Sequence, residues 1–208
     1  MIRWVHRSLG RFARRSWVAI GVFAIAASPA CAAANRIQTN PNALILDGVS
    51  VSGDVEYFFL SGQLPSPIDA AKPMSVVKSL EEMGDSKTQT ISTLNKIKAL
   101  LAAQGYAMSD LVKLTLFVAA DPRLGRMEFA GVNEGFRQFF GTAENSQTVA
   151  RSTFQVAALV GQHYLIEIEA IAVKKRSSPV AARMHRLPPG LRKKTLLAHY
   201  TDGDRRRG

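Results

Sequence analysis

A single cysteine, Cys31, occurs in 208 residues. It falls inside an N-terminal segment read below as a cleaved leader, so the mature chain would carry no thiol. That excludes a disulfide framework, a cysteine-held metal and a cysteine nucleophile from the folded part. The apolar run Trp17–Ala27 holds about 11 residues, too few to span a bilayer, which takes roughly 20. No internal repeat is visible. Acidic residues are absent from positions 1–34, which hold 5 Lys/Arg, and only 2 occur among the 11 Lys/Arg of positions 174–208. Positions 35–173 carry 11 Lys/Arg against 14 acids, net −3. The formal charge of +11 therefore belongs to the two ends. A basic chain invites a nucleic-acid or membrane reading, but the middle of this one is mildly acidic and gives such a reading no support.

The ends themselves are legible. Arg3, Arg7, Arg11, Arg14 and Arg15 precede the apolar run, and Ser28-Pro29-Ala30-Cys31-Ala32-Ala33-Ala34 follows it. A basic region, an apolar core and a small-residue site make a secretory signal peptide over 1–34, with cleavage after Ala32 or Ala34. The expectation is an exported protein, periplasmic or secreted, without a membrane span after cleavage. Positions 174–208 contain Pro179, Pro188, Pro189 and two basic clusters with no period, which reads as a disordered basic tail. One domain of about 140 residues, 35–173, lies between.

Within it, Thr148 to Val173 is the most informative stretch. Two period-two runs, joined by a turn around Val160-Gly161-Gln162-His163, read as two strands connected by a tight loop. In the first, Arg151, Thr153 and Gln155 share a face opposite Ser152 and Phe154. In the second, Glu167 and Glu169 lie opposite Ile166, Ile168 and Ala170. Charges in such apolar runs are rarely buried unless paired. Two readings fit: a structural Arg–Glu pair or solvated face, or an arginine at the floor of a cleft that grips a carboxylate, with a glutamate beside it to handle a proton or a water.

Upstream, Leu44–Leu46 and Val49–Val55 read as short strands, with Ser52-Gly53-Asp54 as a hairpin turn leading into the apolar strand Glu56–Leu60. Ser61-Gly62 ends that strand, and Gly permits close backbone approach to a ligand. Pro65–Ser86 reads as a loop with a short helical turn within Ser75–Met83. A helix follows over Lys87–Gln104, capped by Asp85 or Ser86, with Ile91, Leu94, Ile97 and Leu101 inward and Gly105 as its stop. Leu111–Val118 is a strand. Asp121-Pro122 suits a second helix start, whose core stripe Phe129, Val132, Phe136, Phe139 and Phe140 ends at Gly141. Asn133 lies beside that stripe as a boundary polar residue. The order is a mixed α+β domain, with two helices covering one face of a β-sheet.

Taken together, Ser61-Gly62-Gln63-Leu64-Pro65, Asp110-Leu111-Val112-Lys113-Leu114-Thr115-Leu116-Phe117-Val118, Phe129-Ala130-Gly131-Val132-Asn133, Ala150-Arg151-Ser152-Thr153 and Ile166-Glu167-Ile168-Glu169-Ala170 resemble the RidA family (YjgF/YER057c/UK114), in order and with family-like spacing. The resemblance covers about Leu44 to Val173. It implies the chorismate-mutase-like α+β fold and a homotrimer with clefts between subunits. It implies hydrolysis of 2-imino or 2-enamino acids to 2-keto acids and ammonia, with no metal and no organic cofactor. By resemblance, Arg151 would hold the substrate carboxylate and Glu167 the hydrolytic water. Ser61, Gly62, Asn133 and Thr153 would bind or support the substrate. The chain departs from the family in having no tyrosine near Gly48–Ser50, in Val149 where a proline is usual, and in Thr153 where some members have cysteine. A non-catalytic binder of small carboxylic acids is the alternative. A nucleolytic activity would want a histidine near the proposed cleft, and His163 lies in the turn.

Overall fold

The structure is a computed structural model that describes residues 33–176. The expected leader and basic tail lie outside the described residues except at their inner edges. There, strand β1 (Ala34–Ile37) takes up Ala34 and strand β6 (Ile166–Lys175) takes up Lys174 and Lys175. The other strands are β2 (Gly48–Val51), β3 (Val55–Gln63), β4 (Leu111–Ala119) and β5 (Ala150–Val156). Two helices complete the domain, α1 (Ser86–Ala103) and α2 (Phe129–Phe136). No described helix is long and apolar enough to cross a membrane.

Four strands form one sheet in the order β3-β6-β4-β5. β6 runs antiparallel to both its neighbours, while β5 lies parallel to β4. A parallel pair needs a crossover, and the segment holding α2 supplies it. β5 and β6, read from the sequence as two strands joined by a tight loop, are therefore not neighbours. β4 lies between them, and residues 157–165 cross that gap. The physical reason is burial. β4 and β6 present an unbroken row of apolar side chains to the helices and take the two interior positions, whereas β5, with Arg151, Ser152, Thr153 and Gln155, suits an edge.

Both helices cover one face of this sheet. Leu114, Leu116, Val118, Ile166, Ile168 and Ala172 are sealed beneath Leu94, Ile97, Leu101, Val132 and Phe136. The other face stays open, with Tyr57, Phe59 and Phe154 all more than half exposed. Asp85 caps α1 by accepting from the Thr88 N–H at 2.8 Å, and Gly105, at φ 72°, ends it in the left-handed region. The buried face of α1 differs from the expected one. Ile91 is only half-buried, and Gln89, Thr90 and Thr93 are fully buried. Thr90 and Thr93 satisfy themselves by donating to backbone carbonyls one turn back. Gln89 donates to the carbonyls of Gly84 and His163 and accepts from the Leu165 N–H, so it fastens α1 to the entry of β6.

Three further expectations are corrected. Ser52-Gly53-Asp54 turns the chain but does not make a hairpin, because β2 pairs with β1 and β3 pairs with β6. Asp121-Pro122 does not start a helix. The Asp121 carboxylate is taken by the Arg123 N–H at 2.9 Å and the Arg123 guanidinium at 2.5 Å, which closes a turn instead. Glu128 caps α2, accepting from the Gly131 N–H at 2.8 Å. Residues 137–140 leave the helix in tight turns, although Phe140 still stacks on Phe136 at 4.3 Å. Pro65–Ser86 is irregular except for one 3₁₀ turn at Met74–Val76, and buried Leu80 and Met83 fix it to the core.

The N-terminal hairpin β1–β2 extends the edge beside β5. Arg36 donates to the carbonyls of Thr148, Ser109 and Leu111 at 2.6–3.0 Å, and Leu46 bridges Ala150 in parallel. The segment that enters β5, and so places Arg151, is clamped from this side.

Candidate active site

Arg151 projects from β5 to the helix-covered face, in one row with Leu114 and Ala170. Its guanidinium stacks over the Phe136 ring at 4.6 Å and near Phe129 at 5.7 Å. One terminal nitrogen, Nη2, donates to Asn133 Oδ1 at 2.7 Å. The other, Nη1, and Nε are buried without a partner. No ion pair among the described residues uses Arg151. Burial, and after it the nearby charge of Arg137, push the Arg151 pKa down to about 10. The group is still cationic at neutral pH. It is thus a desolvated cation with two idle N–H faces and one neutral partner, which is the situation a carboxylate relieves. Thr153, on the same face one pleat further along, also has a buried hydroxyl oxygen with no partner.

Glu167 is elsewhere. It shares a row with Phe117, which also faces Phe154. That row is three positions from Leu114 along β4, so Glu167 points to the opposite, open face. β5 and β6 flank β4, which puts the two backbones about 9.5 Å apart across the sheet, with a further ~10 Å offset along it. The expected glutamate beside the arginine is therefore not found within one chain. Instead Glu167 lies against β3. A Cβ built on Gly62 would meet Glu167 Oε1 at 1.9 Å, so the absence of a side chain there is what lets the carboxylate lie across the strand. The β3–β6 ladder shifts register between Leu60 and Gln63, which holds Ser61 and Gly62 out of regular pairing.

The six expected site residues thus fall into two groups. Arg151, Asn133 and Thr153 stand together on the helix side of β5. Gly62 and Glu167 meet at the β3–β6 end, and Ser61, next to Gly62, lines a pocket with Glu169 and Lys113. Sequence reasoning placed Phe129 and Phe136 in the core stripe and missed that they face the guanidinium. The signal was available, since Asn133 lies within one turn of both on α2. Among the described residues no group of three or more His, Cys, Asp or Glu could hold a metal ion. His163 offers its carbonyl to Gln89.

This architecture, a mixed four-stranded sheet with two helices on one face and an open sheet on the other, is shared with a solved protein of the conserved Rid family from Yersinia pestis. The TM-score is 0.50 at 23% identity, over 67% of this chain and 98% of that one. The family model described as Endoribonuclease L-PSP matches residues 50–174. A RutC family protein from Pyrococcus horikoshii is 37% identical over 119 residues, 57% of this chain and 80% of that protein. The Escherichia coli K12 protein named 2-iminobutanoate/2-iminopropanoate deaminase is 38% identical over 98 residues, 47% of this chain and 71% of that one. The chain belongs to the RidA (YjgF/YER057c/UK114) family.

Proposed function

We propose that this protein hydrolyses 2-imino and 2-enamino acids to 2-oxo acids and ammonia, at sites completed where copies of the chain meet. The observation that carries the reading is the Arg151 guanidinium, buried among Phe136, Phe129 and Asn133 with two nitrogens unpartnered and no acid of its own. A substrate carboxylate would supply both missing acceptors, each charge-assisted bond contributing about 1.5–3 kcal/mol. The likeness to the deaminase of Escherichia coli supports the same reaction.

The chemistry asks little beyond orientation. With the carboxylate anchored, the electrophilic carbon next to it is fixed. Glu167 would orient a water and accept its proton as the oxygen bonds to that carbon. The imine nitrogen takes up a proton, the carbon–nitrogen bond breaks, and ammonia leaves as the carbonyl forms. Water supplies the oxygen and both hydrogens, so no other reagent is consumed.

The opposite facing of Arg151 and Glu167 supports an assembly in which the two groups come from different copies, and a homotrimer with clefts between subunits fits the family. The exposed Tyr57, Phe59 and Phe154 on the uncovered sheet face are the surface such an assembly would bury. The absence of the family tyrosine and the expected export favour the second reading, a binder of small carboxylic acids without turnover.

The test uses the full chain. An amino-acid oxidase generates imino acids from alanine or 2-aminobutyrate while semicarbazide competes for them. The wild type should suppress semicarbazone formation, and Arg151→Ala should lose at least about a hundredfold of that activity while its oligomeric state is kept. Full activity in Arg151→Ala refutes the reading. Calorimetric binding of 2-oxobutyrate with no hydrolysis moves the assignment to the binder.

A further inference from the structure

Arg151, Thr153 and Gln155 face the helices in one line along β5, in rows with the buried Leu114, Leu116 and Val118. The first and last of them are tied to the α2 segment. Arg151 donates to Asn133 Oδ1 at 2.7 Å, and Gln155 Oε1 accepts from the Met127 N–H at 2.9 Å. The stretch of β5 from Arg151 to Gln155 spans about 13 Å. From Met127 to Asn133, a short extended lead and the first turn of α2 span about 12–13 Å. The segment from Met127 to Asn133 therefore runs antiparallel to β5 and is pinned to it at both ends.

The two ends differ in what else supports them. Val132 and Phe136 are fully buried, so the core fixes the body of α2. Its entry has no such support. Phe129, the first residue of α2, is 40% exposed, and Met127 is only partly buried. Glu128 caps the helix by accepting from the Gly131 N–H, a bond internal to the segment. Among the described residues, the Met127–Gln155 bond is the one hydrogen bond that joins residues 127–130 to a strand. Phe129 follows Met127 by two residues, and its ring centre lies 5.7 Å from the Arg151 guanidinium. A ring held there attracts the charge and keeps water off it. A bond to that charge is stronger where water is excluded.

We propose that Gln155 is a positioning residue for the carboxylate anchor. By holding the Met127 N–H it fixes the entry of α2, and with it Phe129, against the Arg151 guanidinium. Gln155 acts through Phe129 and not by contact with the substrate. The inference rests on the reading of Arg151 as the group that grips the substrate carboxylate. Without the Gln155 acceptor, Phe129 swings away and water reaches the guanidinium. That weakens the hold on substrate and transition state alike, so the loss falls on KM and spares kcat.

The full-length wild type is compared with Gln155→Leu, which removes the acceptor, and Gln155→Glu, which keeps an acceptor oxygen. Gln155 is exposed, so both variants should fold. In the semicarbazide competition with the alanine-derived imine, Gln155→Leu should raise KM about tenfold and change kcat by less than about threefold. The calorimetric Kd for 2-oxobutyrate should rise by the same factor, and Gln155→Glu should recover most of both. The Arg151 Nε–H resonance, displaced by the rings of Phe136 and Phe129, reports the same geometry without any ligand. It should move in Gln155→Leu and hold its place in Gln155→Glu. A KM and Kd within about twofold of wild type in Gln155→Leu, no recovery in Gln155→Glu, or an Arg151 resonance that stays put in Gln155→Leu overturns the proposal, whatever happens to Tm. If the wild type neither turns over imines nor binds 2-oxobutyrate, the reading of Arg151 as a carboxylate anchor falls, and the proposal falls with it even where the resonance moves.

Discussion

Replacing Arg151 by Met tests whether this arginine serves the fold or a ligand. The lowering of its pKa to about 10 measures the burden of keeping it charged without a counter-ion. A fall of that size corresponds to at most about 3–4 kcal/mol. Part of the side chain reaches solvent, which screens the cost to about 1–2 kcal/mol. Against this stand the contacts that methionine would forfeit. The rings of Phe136 and Phe129, at 4.6 and 5.7 Å, contribute about 0.5–1 kcal/mol each, and the bond to Asn133 about 1. The two sides nearly cancel, so Arg151→Met should change stability by no more than about 1 kcal/mol, or about 2–4 °C in Tm. An arginine in a buried ion pair would instead cost about 3–5 kcal/mol on removal.

Thermal unfolding of the full chain with and without 2-oxobutyrate gives the answer. The ligand should raise the wild-type midpoint and leave that of Arg151→Met where it was. The pH dependence has a definite sign. The folded-state pKa lies below the unfolded one, so the burden is present at every pH below about 10 and is relieved as pH rises through that value. Oxo-acid binding should therefore be level from pH 7 to about 9 and weaken above about 10. Destabilisation beyond about 3 kcal/mol, or a ligand shift that survives the substitution, would refute this reasoning.

Two other substitutions probe the remaining parts. Gly62→Ala places a methyl group on the Glu167 carboxylate, which is flexible enough to swing away; turnover should fall about 10–100-fold while Arg151-dependent binding of 2-oxobutyrate persists, and a fully active variant would remove Glu167 from the chemistry. Gln89→Leu leaves the Gly84 and His163 carbonyls and the Leu165 N–H without partners in a buried position. A loss of about 2–4 kcal/mol is expected, a Tm lower by roughly 5–15 °C, and a change under about 2 °C would show that water replaces the amide.

Period and punctuation made much of this fold readable. The apolar run Leu111–Val118 identified β4, and Gly105 marked the stop of α1. The faces assigned to Arg151 and Glu167 on their own strands were also right, because alternation is a property of one strand. Pairing is not. Whether β5 lies beside β6 or beyond β4 depends on which apolar runs win the interior of the sheet, a competition among segments that are distant in sequence. That competition is why Arg151 and Glu167 stand apart within one chain. The second helix was misplaced because Asp121 is a good helix cap only when no arginine two residues on claims its carboxylate. Gln89 was missed because a buried amide that holds three backbone groups leaves no periodic trace.

β6, one of the two interior strands of the sheet, is the last of the described strands. β6 supplies one side of both antiparallel ladders, and its far end pairs Lys175 with Val55 at the start of β3. On a growing chain, β3 must wait for almost the whole domain before it has a partner in this sheet. Until then β4 can pair only with β5. Such long-range closure slows folding and leaves the apolar edges of β3 and β4 open in the meantime. It also means that Glu167, carried on β6, is set in place only in the final act of sheet formation.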